Sequence, residues 1–147
     1  MRQFVSIFFA AVLISCTSTD IPVTPDATYP VAINIENADS LWSLRADKAS
    51  AQAALEVFQH LAESDSTSIQ LWAKLSRAYY FSGQYLTQSP QVQDSLFLQG
   101  YGVSQTVLKQ NSEYRNLLFS TGDESMAVRG LDKNFLEALY WGMANYG

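Results

Sequence analysis

Few side chains in this 147-residue sequence are of types that do covalent or acid–base chemistry. His60 is the single histidine, and Gln59 and Leu61 beside it give no triad or metal-ligand spacing. It falls near the end of a predicted helix, where a histidine suits the macrodipole, so its role reads as structural. Glu56 and Glu63 are seven apart and share a helix face, with Asp65 just beyond. Glycan hydrolysis needs carboxylates flanking a cleft, and no cleft is signalled around these, so they read as solvated. Gly100-Tyr101-Gly102 lies in a helical frame and lacks the Lys-Ser/Thr of a phosphate loop. No catalytic residue, cofactor or metal site emerges. The one thiol, Cys16, is the group whose position does point to a chemistry.

Cys16 closes an apolar run from Phe4 to Ile14, broken only by Ser6, that follows Met1-Arg2-Gln3. A positive start, a short apolar region and small residues at its end make a secretory signal peptide, assigned to residues 1–15. The run is too short to span a bilayer, whose hydrocarbon core is about 30 Å thick. Leu13-Ile14-Ser15-Cys16 resembles the lipobox of bacterial lipoproteins. That resemblance implies a diacylglycerol thioether on Cys16, which becomes the first residue of the mature chain. Acyl chains on the glycerol and the amine anchor firmly where one chain alone binds only marginally. In a Gram-negative host, Thr17 in place of Asp resembles the pattern sorted to the outer membrane.

No cysteine is left for a disulfide or a metal cluster. The net charge is -5, without a basic run, which argues against nucleic acid as a partner. Residues 16–40 carry Pro22, Pro25 and Pro30 and no helical period, and are read as a tether.

Residues 41–147 read as an all-α domain. Asp47 is placed to cap a helix whose Ala54, Phe58 and Leu61 recur at spacings of four and three. Ser66 to Ser68 offers the next cap, and Trp72, Leu75 and Tyr79 form the stripe of a helix that Gly83 should stop. Ser89-Pro90 opens a long helix to about Asn111, in which Gly100 and Gly102 are useful only where a neighbouring helix crosses closely. A short helix near Glu113 to Phe119 follows. Asp123 and Asp132 are placed to cap the last two.

Trp72, Leu75, Ser76 and Tyr79, with Gly83 four residues on, resemble the first helix of a tetratricopeptide repeat. Ala54, Phe58 and Leu61 then fall on positions of the preceding second helix, and Ser66 replaces the usual proline. Small residues at such positions let two helices approach, and large ones fill the groove between them. Tyr140, Met143 and Ala144 fit a further first helix, although the stretch from Gly83 to Gly100 is too long for a standard repeat.

The whole arrangement resembles the T component associated with TRAP transporters, a family of tetratricopeptide-like periplasmic lipoproteins. The matching positions are Trp42, Arg45 and Asp47, then Ala78-Tyr79-Tyr80-Phe81, then Ala138-Leu139-Tyr140-Trp141. The resemblance implies a helical solenoid, a periplasmic solute-binding protein as partner, trimeric assembly, transfer of a hydrophobic small molecule, and no enzymatic activity. A solenoid needs a polar terminal helix. The last helix here carries Phe135, Leu136, Leu139, Tyr140, Trp141 and Met143, so the chain is read as the N-terminal part of a longer solenoid or as covered by another subunit.

On the tetratricopeptide frame, Gln70, Ala73, Arg77 and Tyr80 face the groove and are candidate partner contacts. Tyr and Arg dominate interface energetics. Tyr140 and Trp141 are neighbours on one helix and point about 100° apart, so one of them is available to a partner or ligand. The alternative function is an envelope assembly scaffold that holds a peptide or protein in that groove.

Overall fold

The computed structural model describes residues 33–147. Cys16, the signal peptide, the lipobox and most of the tether lie outside them. The described residues form helices α1 (Ile35–Ser43), α2 (Lys48–Ser64), α3 (Ile69–Phe81), α4 (Pro90–Leu108), α5 (Ser112–Thr121), α6 (Glu124–Ala127) and α7 (Leu136–Tyr146). Among these residues there is no strand, and no helix is long and apolar enough to cross a membrane.

Local chemistry sets most helix starts. Asp47 accepts from the Ser50 amide at 2.8 Å, Asn111 from Tyr114 at 2.9 Å and Asp123 from Ser125 at 2.8 Å. Hydrogen bonds to the charged form hold both carboxyls below the ordinary aspartate value, for Asp47 from the Ser50 amide and then its hydroxyl, for Asp123 from the Ser125 side chain and then its amide. Asp132 caps a 3-10 turn, Lys133–Phe135, that runs into α7 rather than capping α7 itself. Gly122 ends α5 in the left-handed region at φ 66°, where a side chain would be strained.

Two departures from the sequence reading have physical causes. Helix begins at Ile35, inside the segment read as tether. Asn34 caps it by accepting from the Asn37 amide at 2.8 Å, and Ile35, Ala38, Leu41 and Trp42 bury one face against α2 and α3. Helix α3 ends at Phe81, just ahead of Gly83, but not in a left-handed glycine cap, since the φ of Gly83 is not positive. The chain continues through a π turn, Ser82–Leu86, and Gly83 is present because α4 comes close: a Cβ there would lie 2.7 Å from the Phe97 ring.

The core has two parts. Ala38, Ala54, Phe58, Leu75, Ala78 and Tyr79 join α1, α2 and α3, and Phe58 is wholly buried. Ala73, Val107, Leu108, Tyr114, Phe135 and Ala138 join α3, α4, α5 and α7. Each fully buried large side chain contributes about 1.5–3 kcal/mol. Trp72 touches both parts while half-buried, and its indole donates to the Ser66 carbonyl at 3.2 Å.

Helices α3, α4 and α7 pack on one another. Ser76 meets Gly100 and Ser104, and Gly83 meets Gln93 and Phe97, so α3 and α4 are antiparallel. Gly100 abuts Asn145 and Ser104 abuts Gly142, so α4 and α7 are antiparallel too. It follows that α7 runs in the direction of α3.

Candidate functional site

The expected groove face of α3 is divided by α7. Gln70, in the first turn, is exposed. Ala73 is 1% exposed and belongs to the core with Ala138 of α7, so it is closed to a partner. Arg77 is half-buried, with its guanidinium 4.7 Å from the Trp42 ring centroid. Arg45 lies against the same indole at 5.0 Å and donates to the Trp42 carbonyl at 3.2 Å. Burial lowers the Arg77 value, which the Glu137 carboxylate opposes and the Arg45 charge reinforces. Its Nε is buried without a partner. The three positions singled out at the head of the first helix separate accordingly: Trp42 and Arg45 stack, and Asp47 caps α2.

Tyr80 is half-buried. It stacks on Phe97 of α4 at 5.8 Å between ring centroids and tilts against Trp141 of α7 at 5.7 Å. Tyr140 meets Trp141 edge-on at 4.9 Å, and of these adjacent residues Trp141 turns inward while Tyr140 stays 63% exposed. Thus Tyr80, Trp141 and Tyr140 form one chain of rings, while Gln70 and Ala73 stand apart from it. Leu136, Tyr140 and Met143 recur at spacings of four and three and are all exposed, which gives α7 an uncovered apolar stripe.

Beneath the rings lies a buried polar cluster that sequence reasoning missed. The Ser76 hydroxyl donates to the Gly100 carbonyl at 2.9 Å and pairs with the Ser104 hydroxyl at 2.8 Å. The Asn145 amide nitrogen donates to the Ser76 carbonyl at 3.1 Å and the Trp141 carbonyl at 2.8 Å, leaving its oxygen buried without a partner. Two carbonyl acceptors on one nitrogen fix the orientation of that amide. Gly142 and Gly100 permit the crossing, since a Cβ on either would lie within 3 Å of Ser104 or Asn145. Gly102 meets nothing within 4 Å.

Two clefts flank the Tyr101–Tyr146 ring pair, whose centroids are 5.2 Å apart. One, of about 790 Å³, is bordered by Tyr80, Asp94, Phe97 and Asn145. The other, of about 460 Å³, lies between α4, α6 and α7 over Leu108, Val128, Leu139 and Met143, with Glu124 beside them. Glu124 Oε1 accepts from the Tyr114 hydroxyl at 3.1 Å and from the Gln105 amide. Burial, and then the Glu124 charge, push the Tyr114 phenol up to about 12.

His60 is exposed on α2, as are Glu56 and Glu63. No group of three or more His, Cys, Asp or Glu able to hold a metal occurs among the described residues. The chain matches no protein family, no curated protein and no solved structure in the three comparisons made.

Proposed function

We propose that this chain is a lipid-anchored, periplasm-facing helical-repeat protein that binds a partner protein, and that the partner is the solute-binding component of a TRAP-type transporter. Cys16 holds the anchor, in the outer membrane where the host has one. In this reading the chain is the tetratricopeptide-like accessory, not an enzyme, and a trimer follows from the resemblance.

The carrying observation is the uncovered stripe of Leu136, Tyr140 and Met143 on α7, next to the Tyr80–Trp141 rings. Anchors of this kind, aromatic and large aliphatic on a rigid helix, are what protein interfaces use. Two further observations support the repeat frame. Leu75 and Tyr79 are buried against Ala54 and Phe58, the positions the repeat assigns to contact between helix pairs. The sequence of directions α3, α4, α7 is that of a first helix, a second helix and the next first helix, with α5 and α6 inserted between the last two.

The alternative, a scaffold that holds a peptide in the α3 groove, has less room: Ala73 is buried and α7 occupies that face. The test is cross-linking in envelope membranes from a photoreactive residue placed at position 140 of the full-length tagged chain, with partners identified by mass spectrometry. A TRAP-type solute-binding protein is the expected product. Recovery of assembly or cell-wall machinery alone overturns the transporter reading and leaves the scaffold.

A further inference from the structure

The cleft between α4, α6 and α7 has a chemistry of its own. Its floor is aliphatic, from Leu108, Val128 and Leu139, and the Tyr101 and Tyr146 rings stand at one side. Glu124 is the one charged side chain among its lining residues; no Lys or Arg lines it. Both protein bonds to that carboxylate fall on Oε1, so Oε2 keeps no protein partner among the described residues. The Tyr114 hydroxyl and Gln105 amide come from α5 and α4 and hold the carboxylate at the edge of an apolar space.

We infer that this cleft binds a small organic cation, an amine or quaternary ammonium carried on an apolar body. The volume of about 460 Å³ lies within the range of small-molecule sites. An apolar body gains from leaving water for the aliphatic floor. A cation gains from the negative faces of the tyrosine rings and from the free carboxylate oxygen. An anion meets Glu124 with nothing to offset it. A neutral apolar ligand gains only the floor. Met143 borders both the cleft and the stripe, but this inference does not depend on the partner-binding reading, since its ligand contacts are Glu124, Tyr101 and Tyr146 and the test uses no partner.

The test is titration of the full chain with benzyltrimethylammonium and, separately, with its uncharged carbon isostere neopentylbenzene, followed by calorimetry and by NMR of ring-labelled tyrosine. The expected result is saturable binding of the cation, at least about tenfold tighter than the isostere, with the Tyr101 and Tyr146 signals moving. Glu124→Gln keeps an oxygen for Tyr114 to bond while removing the charge, and should weaken the cation at least about fivefold and leave the isostere unchanged. Equal affinity for the two probes, no saturable binding of the cation, or movement of other tyrosines only, each overturns the inference. The two-probe comparison on the unaltered protein decides the matter even where the variant fails to fold.

Discussion

The Asn145 side-chain amide on α7 donates to the Ser76 backbone carbonyl on α3 at 3.1 Å, joining two helices 69 positions apart. The same nitrogen reaches the Trp141 carbonyl, and Ser76 in turn bonds Ser104 and Gly100 of α4. One buried cluster therefore fixes how α3, α4 and α7 lie together. Asn145→Ala removes the donor and leaves a hole beside Gly100. It should lower the unfolding free energy by about 1–3 kcal/mol, read by urea denaturation monitored by circular dichroism. An unchanged midpoint would mean that the apolar contacts alone set the crossing.

Gly100 and Gly102 sit two residues apart on α4 and should respond with opposite signs. A Cβ at Gly100 runs into the Asn145 side chain, which three hydrogen bonds hold in place. Gly100→Ala should cost about 1–3 kcal/mol. A Cβ at Gly102 meets open space and its φ is not positive. Gly102→Ala should stabilise by about 0.5–1 kcal/mol through lower chain entropy in the unfolded state. Thermal melts of the two single variants make the comparison, and shifts of the same sign would contradict the close crossing at Gly100.

Helices α2 and α3 could be read from the chain because both of their signals are local. Asp47 and Ser68 act on amides three residues away, and the stripes through Phe58 and Tyr79 repeat within one helix. Helix α1 was obscured because its apolar residues Ile35 and Ala38 lie ahead of Ser40, in a segment whose prolines argue for extended chain. The polar cluster was hidden for a different reason. Ser76 falls on a small position that the repeat pattern assigns to helix contact, but Ser104 and Asn145 are residues that usually mark a solvated face, and only the tertiary crossing shows that they are buried with it. The cleft was equally hidden, since Tyr101, Glu124 and Tyr146 come from three helices with no shared motif. Gly100 was the partial exception: its cost to a free helix implied a close neighbour, and Asn145 is that neighbour.

Stability should fall in alkali through Tyr114. Its folded value is about 12, against the ordinary value of 10.0. A raised tyrosine contributes stability that is fully present below about 10 and is lost as pH rises through about 12. Burial also raises the Tyr79 and Tyr101 phenols, so they add to the same slope. Denaturation midpoints taken across that window should decline for the unaltered protein and decline less steeply for Tyr114→Phe. Equal slopes would show that Tyr114 does not carry the effect.

The anchor proposed at Cys16 predicts a change of fraction without a change of fold. Cys16→Ser removes the thiol on which the thioether forms. The variant should lose incorporation of labelled fatty acid and move from the membrane pellet to the soluble envelope fraction. Its melting transition should stay where it was, since the helices from Ile35 onward do not include this residue. Retained lipid label on the serine variant would refute the assignment.

The stripe on α7 and the face of α3 make opposing demands on a partner. Leu136 is 56% exposed and Tyr140 63%, so changing both to serine removes apolar surface that no described helix covers. Each substitution should alter stability by less than about 0.5 kcal/mol, because surface changes away from buried features rarely do more. Trp141 keeps its contact with Tyr80 when the Tyr140 ring is gone. Partner cross-linking, here read from a photoreactive residue placed at position 143 of the same stripe, should nonetheless drop at least about tenfold, the size expected when one or two aromatic and aliphatic anchors are lost from the centre of an interface. Gln70→Ala, exposed in the first turn of α3, should leave cross-linking unchanged. A partner held in the α3 groove would produce the reverse pattern, sensitive at Gln70 and indifferent at Leu136 and Tyr140. Quantifying the cross-linked product for the two variants in parallel therefore tells a helix-face interface from a groove-bound peptide.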